Sequence, residues 1–244
     1  MKARVFLGPS LPPGEARALT DAELAPPIQR GDLILAARAG VEAAVVIDGY
    51  FSQRPAVTHR EIAFAAAAGM VILGAASLGA IRAAEMGPPA MVGVGTIFRL
   101  YRDGSLQADD AVAVIHGPAE LDYRPLSEPL VNVEATLRDA YRAEVIGGSA
   151  FARLRSAARF LHYGERTYAA VLARAEIGER EQRRLESWLS AHRRDLKAED
   201  TRLALELLPA ASKRVGRSCP PPEPNFFLER QLMEAGNPLL PRLP

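Results

Sequence analysis

One cysteine, one tryptophan and only three lysines stand in a chain of 244 residues. The single cysteine, Cys219, excludes a disulfide framework within the chain and is too few for a cysteine metal site. No apolar run approaches the roughly 18 residues that would cross a membrane. The opening Met1-Lys-Ala-Arg-Val-Phe-Leu-Gly-Pro is broken at once by Gly8 and Pro9, unlike a signal peptide, so a cytoplasmic chain is expected. The formal net charge is only +1, which provides no global field for nucleic acid or an anionic membrane. None of the four histidines has a partner at H-E-x-x-H spacing, so no metal is predicted. Gly93-Val-Gly95 matches neither a dinucleotide fingerprint nor a Walker loop, so no cofactor is predicted. Scarcity of lysine is itself informative. Arginine is the default cation here, and a retained lysine marks a place where a cation able to lose its proton has a use. Lys2, Lys197 and Lys213 are the three, and Lys197 lies inside a helical region.

What is present is 48% hydrophobic, enough for one large or two small globular domains. Residues 1–133 alternate short apolar runs with helical ones, which predicts an α/β core with a mainly parallel sheet and flanking helices. Strands are predicted at Ala3–Leu7, Ala43–Ile47, Met70–Leu73 and Ala111–Ile115. Thr58 precedes a helix whose third residue is Glu61, the spacing of a capping box, and His59 shares that first turn. Residues 134–209 read as an all-helical part, with helices at 134–145, 150–161, 167–175, 179–191 and 200–208. Residues 210–244 form a Pro-rich tail, extended at Cys219-Pro-Pro-Pro-Glu-Pro and docked through Phe226-Phe227-Leu228.

The chemistry concentrates at strand ends, where α/β sheets place their sites. Gly8-Pro-Ser10 follows the first strand, Asp48-Gly49 the second, Ser77 the third and His116-Gly-Pro118 the fourth. Ala75-Ala-Ser77-Leu-Gly79 departs from the G-x-S-x-G nucleophile elbow only at Ala75. Ser77 therefore reads either as a nucleophile on a strand-to-helix turn or as a plain cap of the helix that follows. A nucleophilic serine needs a base, either histidine or a lysine. His59 near a helix start suits that task. His116 behind an apolar strand reads equally as a buried structural histidine, and Lys197 equally as an exposed lysine at a helix start.

Several ordered motifs carry a family resemblance. They are Val5-Phe-Leu-Gly-Pro-Ser-Leu11, Ile47-Asp-Gly49, His59-Arg-Glu-Ile62, Gly74-Ala-Ala-Ser-Leu-Gly-Ala-Ile-Arg-Ala-Ala-Glu85 and Gly93-Val-Gly-Thr-Ile-Phe98. Tyr101-Arg-Asp-Gly104, His116-Gly-Pro-Ala-Glu120, Tyr123-Arg-Pro-Leu-Ser-Glu-Pro129, Glu165-Arg-Thr-Tyr168 and Asp195-Leu-Lys197 continue the series. In these motifs the chain resembles TfuA, the partner of YcaO enzymes in peptide thioamidation. The resemblance implies sulfur delivery: hydrolysis of a thiocarboxylated, ThiS-like sulfur-carrier protein to release sulfide for YcaO, with a precursor peptide as a further partner. It implies a Ser-Lys site, which falls on Ser77 and, in this chain, Lys197. The family often has lysine after the histidine of the His-x-Glu-Ile block, where this chain has Arg60, which can bind a carboxylate but cannot serve as a base. On this reading neutral Lys197, tuned by burial or neighbouring arginines, takes the Ser77 proton, while His59, Ser10 and Arg82 orient the tail or the pair. Two other readings stand beside it. One is a non-catalytic adaptor that aligns YcaO and carrier, and the other is a small-molecule serine esterase, disfavoured by the lack of an HGGG-type oxyanion segment.

Overall fold

Along the apolar runs, alternate residues face opposite sides of one sheet, and the two faces have separate cores. The computed structural model describes residues 2–51, 54–212, 219–223 and 226–234. The order begins β1 (Ala3–Phe6), α1 (Pro13–Leu19), β2 (Glu23–Ala25), α2 (Asp32–Arg38), β3 (Ala43–Val46), α3 (His59–Ala67), β4 (Val71–Ala75), α4 (Leu78–Met86), β5 (Val92–Val94) and α5 (Gly95–Arg102). All pairings are parallel, in the order β2-β1-β3-β4-β5. The fold is α/β, as predicted. Helices follow at α6 (Leu130–Arg142), α7 (Gly148–Phe160), α8 (Tyr168–Ala175), α9 (Glu179–His192), α10 (Leu196–Ser212) and α11 (Phe226–Glu234).

Val5, Val45 and Leu73 face one core together with Ala16 of α1 and Ala204, Leu205 and Leu208 of α10. Phe6, Val46 and Ile72 face the other, with Leu33 of α2, Ile62 of α3 and Ala83 of α4. Each such buried aliphatic side chain contributes about 1.5–3 kcal/mol, so the two cores dominate the stability of the sheet. α10 is thus an integral layer of the sheet, although it starts more than a hundred residues beyond β5 in sequence.

Two compact units result. One comprises Met1–Gln107 together with the described residues from Lys197 on, and the other Ala108–Leu196. The sequence reading divided the chain instead at 133 and 209. One strand prediction is corrected. Ala111–Ile115 is a short 3-10 turn, Asp109–Ala111, followed by irregular chain, and the N–H of Ile115 donates to Ser127 Oγ at 2.9 Å rather than to a strand. The run is apolar because Ala111, Val112 and Ala113 are buried, and an apolar run alone does not distinguish strand from buried turn. The three-residue strands β2 and β5 are too short to carry a pattern, and only the Gly93-Val-Gly95 end of β5 stands out in the sequence. In the tail, Leu228 is buried on a helix, α11, that the Pro-rich composition had hidden, and the final Pro-Leu-Leu-Pro-Arg-Leu-Pro lies outside the described residues.

Candidate active site at the carboxyl edge of the sheet

β4 ends in a tight reversal at Ala76. That residue has φ +64°, a value that costs an alanine about 1 kcal/mol, and the Ser77 N–H donates to the Ala75 carbonyl at 2.7 Å across it. Strain sits on the residue before the serine. Gly79 allows α4 to start hard against β3, because a Cβ there would run into the Val46 carbonyl. The N–H of Gly79 donates to the Ile47 carbonyl and that of Ala80 to the Ser77 carbonyl. Ser77 occupies the N-cap position of α4, yet its side chain makes no capping bond, and no hydrogen bond joins its hydroxyl to any described residue. Ser77 is buried, at 7% exposure.

Next to it, the chain order reverses between β1 and β3, the crevice where ligands of such sheets bind. Here the crevice is filled from within. Asp48, fully buried, accepts from the N–H of Gly8 at 2.9 Å, the N–H of Ser10 at 3.0 Å and Ser10 Oγ at 2.6 Å. Its other neighbour is Lys197 from the first turn of α10, whose Nζ lies 3.5 Å from Asp48 Oδ1 and which is 3% exposed. Val46 of β3 is in register with Gly74 of β4, so Asp48 and Ser77 leave the sheet at neighbouring strand ends, about 4.8 Å apart between strand axes. Asp200, one turn after Lys197, accepts from the N–H groups of Thr96 and Ile97 at 2.7 Å each. That carboxylate caps α5. Burial raises its pKa, opposed by the two backbone donors.

The remaining predicted residues lie elsewhere. His59 is half exposed and paired with Glu85 at 2.8 Å, and Arg82 binds the same Glu85 oxygen at 2.6 Å and the Val57 carbonyl at 3.0 Å. Burial works against the Glu85 anion, but the hydrogen bonds from Arg82 and His59 hold its pKa below the ordinary value. Arg60 donates to the Glu223 carbonyl. Thr58 Oγ accepts the N–H of Glu61 as the capping box requires, but the Glu61 carboxylate turns inward, is fully buried and accepts from the Leu33 N–H at 2.8 Å. Its Oε2 has no partner, and burial pushes its pKa up to about 7 against weaker pull from surrounding N–H groups. His116 belongs to the second unit, where Nδ1 lies 2.8 Å from the Gly117 carbonyl and the ring meets Tyr123 edge-on.

Residues 48–167 match the family model described as TfuA-like protein, which spans Asp48, His59, Arg60, Glu61, Ser77, Arg82 and His116. The chain carries a TfuA-like domain. The TfuA-like family is associated with peptide thioamidation and with YcaO partner pathways, and this is the context in which the site is to be understood. Ser10, Lys197 and Asp200 lie outside the matched residues of the TfuA-like domain. No curated protein matches the chain. Among the described residues no helix is long and apolar enough to cross a membrane. Asp200 was missed in the sequence. The available signal was Gly95, whose φ of +95° leaves room for that carboxylate and for no Cβ.

Proposed function

We propose that this TfuA-like protein hydrolyses the thiocarboxylate at the C-terminus of a ThiS-like sulfur-carrier protein and so supplies sulfide for a YcaO enzyme acting on a precursor peptide. The observation that carries the reading is the uncapped hydroxyl of Ser77 at the end of β4, next to the strand end from which Asp48 of the buried Lys197–Asp48 pair projects. Three positions at this edge of the sheet suit an anion: the Gly8–Ser10 loop, the start of α5 and the start of α4. Asp48 fills the first and Asp200 the second. The third, with the N–H of Leu78, is where an anionic tail and its developing oxyanion would be received.

The chemistry balances without any added group. Ser77 Oγ attacks the thiocarboxylate carbon and its proton passes to the Lys197 amine. Lys197 in turn delivers a proton to the sulfur, and the C–S bond breaks to give hydrosulfide and an acyl-serine. Water then cleaves the ester, restoring the Ser77 hydroxyl and leaving a carrier carboxylate. Asp48 balances the lysine's charge when the amine is protonated and holds it in place when it is not. His59 and Arg82, tied to Glu85 at the surface of α3 and α4, serve the approaching carrier rather than the proton transfer.

The test is sulfide release from a purified thiocarboxylated carrier. Ser77→Ala is expected to reduce turnover by about 10³-fold or more while carrier binding persists, and Lys197→Ala by about 10²–10⁴-fold. Undiminished release by the Ser77 variant sinks the hydrolase reading in favour of an adaptor that only aligns YcaO and carrier.

A further inference from the structure

We propose that Arg54, stacked on Tyr50 in the loop after β3, receives the negative charge at the end of the substrate tail and so selects a thiocarboxylate over a neutral acyl group. The inference rests on the hydrolase reading and names the side chain that reads its substrate. The loop is placed by α4 itself. Gly49 lies so close to Leu78 that a Cβ there would overlap the leucine side chain, and the Val57 carbonyl accepts from Arg82 Nε at 3.0 Å. Leu78 and Arg82 are four residues apart and share one face of the helix, so both ends of the loop are held beside the first turns of α4, which Ser77 opens. Toward the other side the loop is tied to the chain after β2, where the Ile28 N–H donates to the Asp48 carbonyl at 2.7 Å and the Arg30 N–H to the Pro55 carbonyl at 2.9 Å.

Between these ties the Arg54 guanidinium lies 4.6 Å from the centre of the Tyr50 ring, and its Nη1 donates to Gln29 Oε1 at 3.0 Å. Both partners are neutral. A planar guanidinium set against a ring face and a buried amide keeps its orientation and still carries its full charge. Lys197 is paired with Asp48, and Arg82 and His59 with Glu85, whereas among the described residues no carboxylate pairs with Arg54. The chemistry calls for such a cation. A thiocarboxylate is already an anion, so when Ser77 Oγ bonds to its carbon and the serine proton passes to Lys197, the tetrahedral centre bears negative charge on both oxygen and sulfur. The Leu78 N–H can meet one of these charges. The other needs a cation until the sulfur takes the proton from Lys197 and the C–S bond breaks to release hydrosulfide. A neutral thioester develops charge on oxygen alone and has no use for the guanidinium.

The test compares one carrier protein in two forms, ending in a thiocarboxylate or in a methyl thioester, whose hydrolysis releases hydrosulfide or methanethiol. Arg54 is exposed and belongs to neither core of the sheet, so Arg54→Ala is expected to keep the fold. It is expected to lower kcat/KM on the thiocarboxylate by about 10²-fold and on the thioester by less than about threefold. Equal losses on the two substrates, or no loss on the thiocarboxylate, overturn the proposal. A second readout needs no turnover. The wild type is expected to bind a carboxylate-ended carrier about tenfold more tightly than the same carrier ended in an amide, and Arg54→Ala to bind the two alike. A preference that is absent from the wild type, or that survives in the variant, overturns the proposal. A wild type that releases neither hydrosulfide nor methanethiol but shows the Arg54-dependent preference overturns the hydrolase reading alone and leaves Arg54 as the tail receptor of an adaptor.

Discussion

At the scale of single residues, the chain is most informative where a group is buried for no evident packing reason. Glu61 is one such group. The carboxyl is sealed beneath the starts of α2 and α3, one oxygen is bonded to Leu33 and the other has no partner. Its pKa is raised from 4.5 to about 7, chiefly by burial, so the folded state holds this proton more tightly than the unfolded chain does. The stability it contributes is therefore fully present below about pH 4.5 and is lost as pH rises through about 7, roughly 3 kcal/mol over the window. Urea unfolding at pH 5 and pH 8 should show the wild type weaker at pH 8, and Glu61→Gln should flatten that difference. An equal slope in both proteins would refute the assignment. Ser77 was legible in the sequence because its neighbours spell a strand, a small-residue turn and a helix. What the sequence left open was whether it caps α4, and the absence of any capping bond answers that. Asp48 and Ser10 were legible as strand-end residues of a candidate site, but not their mutual bonding, which depends on β1 and β3 being neighbours. Asp200 was legible only through Gly95, not from its own position. Nothing about an aspartate early in a helix reveals that a distant glycine has made room for it.

At the scale of elements, helices with a clear apolar stripe were found within a few residues of their true ends, and failures fell on segments whose conformation is imposed from outside. The turn at Asp109–Ala111 shows how. Arg166, fully buried, donates from Nε to the Ala158 carbonyl at 3.0 Å and from Nη2 to the Leu161 carbonyl at 3.1 Å, and meets Asp110 at 3.3 Å. It closes the carboxyl end of α7 and binds the turn to it. Local propensity cannot foresee a bend held by a guanidinium more than fifty residues away, so Ala111–Ile115 read as a strand. Arg166→Met keeps the bulk but strips two carbonyls and a carboxylate of their donor. It is expected to destabilise the Ala108–Leu196 unit by about 3–5 kcal/mol, seen as lost hydrogen-exchange protection across the last turn of α7. Protection that stays at the wild-type level would show that Arg166 is a passenger.

At the scale of the whole molecule, the boundaries of the family match and the boundaries of folding do not coincide. Residues 48–167 begin after β3 and stop before α8, so they contain only β4 and β5 of the sheet and only α6 and α7 of the four helices α6–α9. β4 pairs with β3, which in turn pairs with β1, and α10 covers the face formed by Val5, Val45 and Leu73. Asp48 likewise has its partners Gly8, Ser10 and Lys197 outside the matched segment. A fragment of residues 48–167 is therefore expected to lack a cooperative thermal transition by circular dichroism, since it exposes one whole face of the remaining sheet. Residues 108–196 form a compact unit that keeps the Arg166 network and contains the buried Leu137, Leu154, Val171, Leu185 and Leu189, and are expected to unfold cooperatively alone. Cooperative unfolding of the first fragment would mean that the sheet does not depend on β1, β3 and α10. The serine and its lysine would then belong to separable parts of the chain, and a site built from both would lose its physical basis.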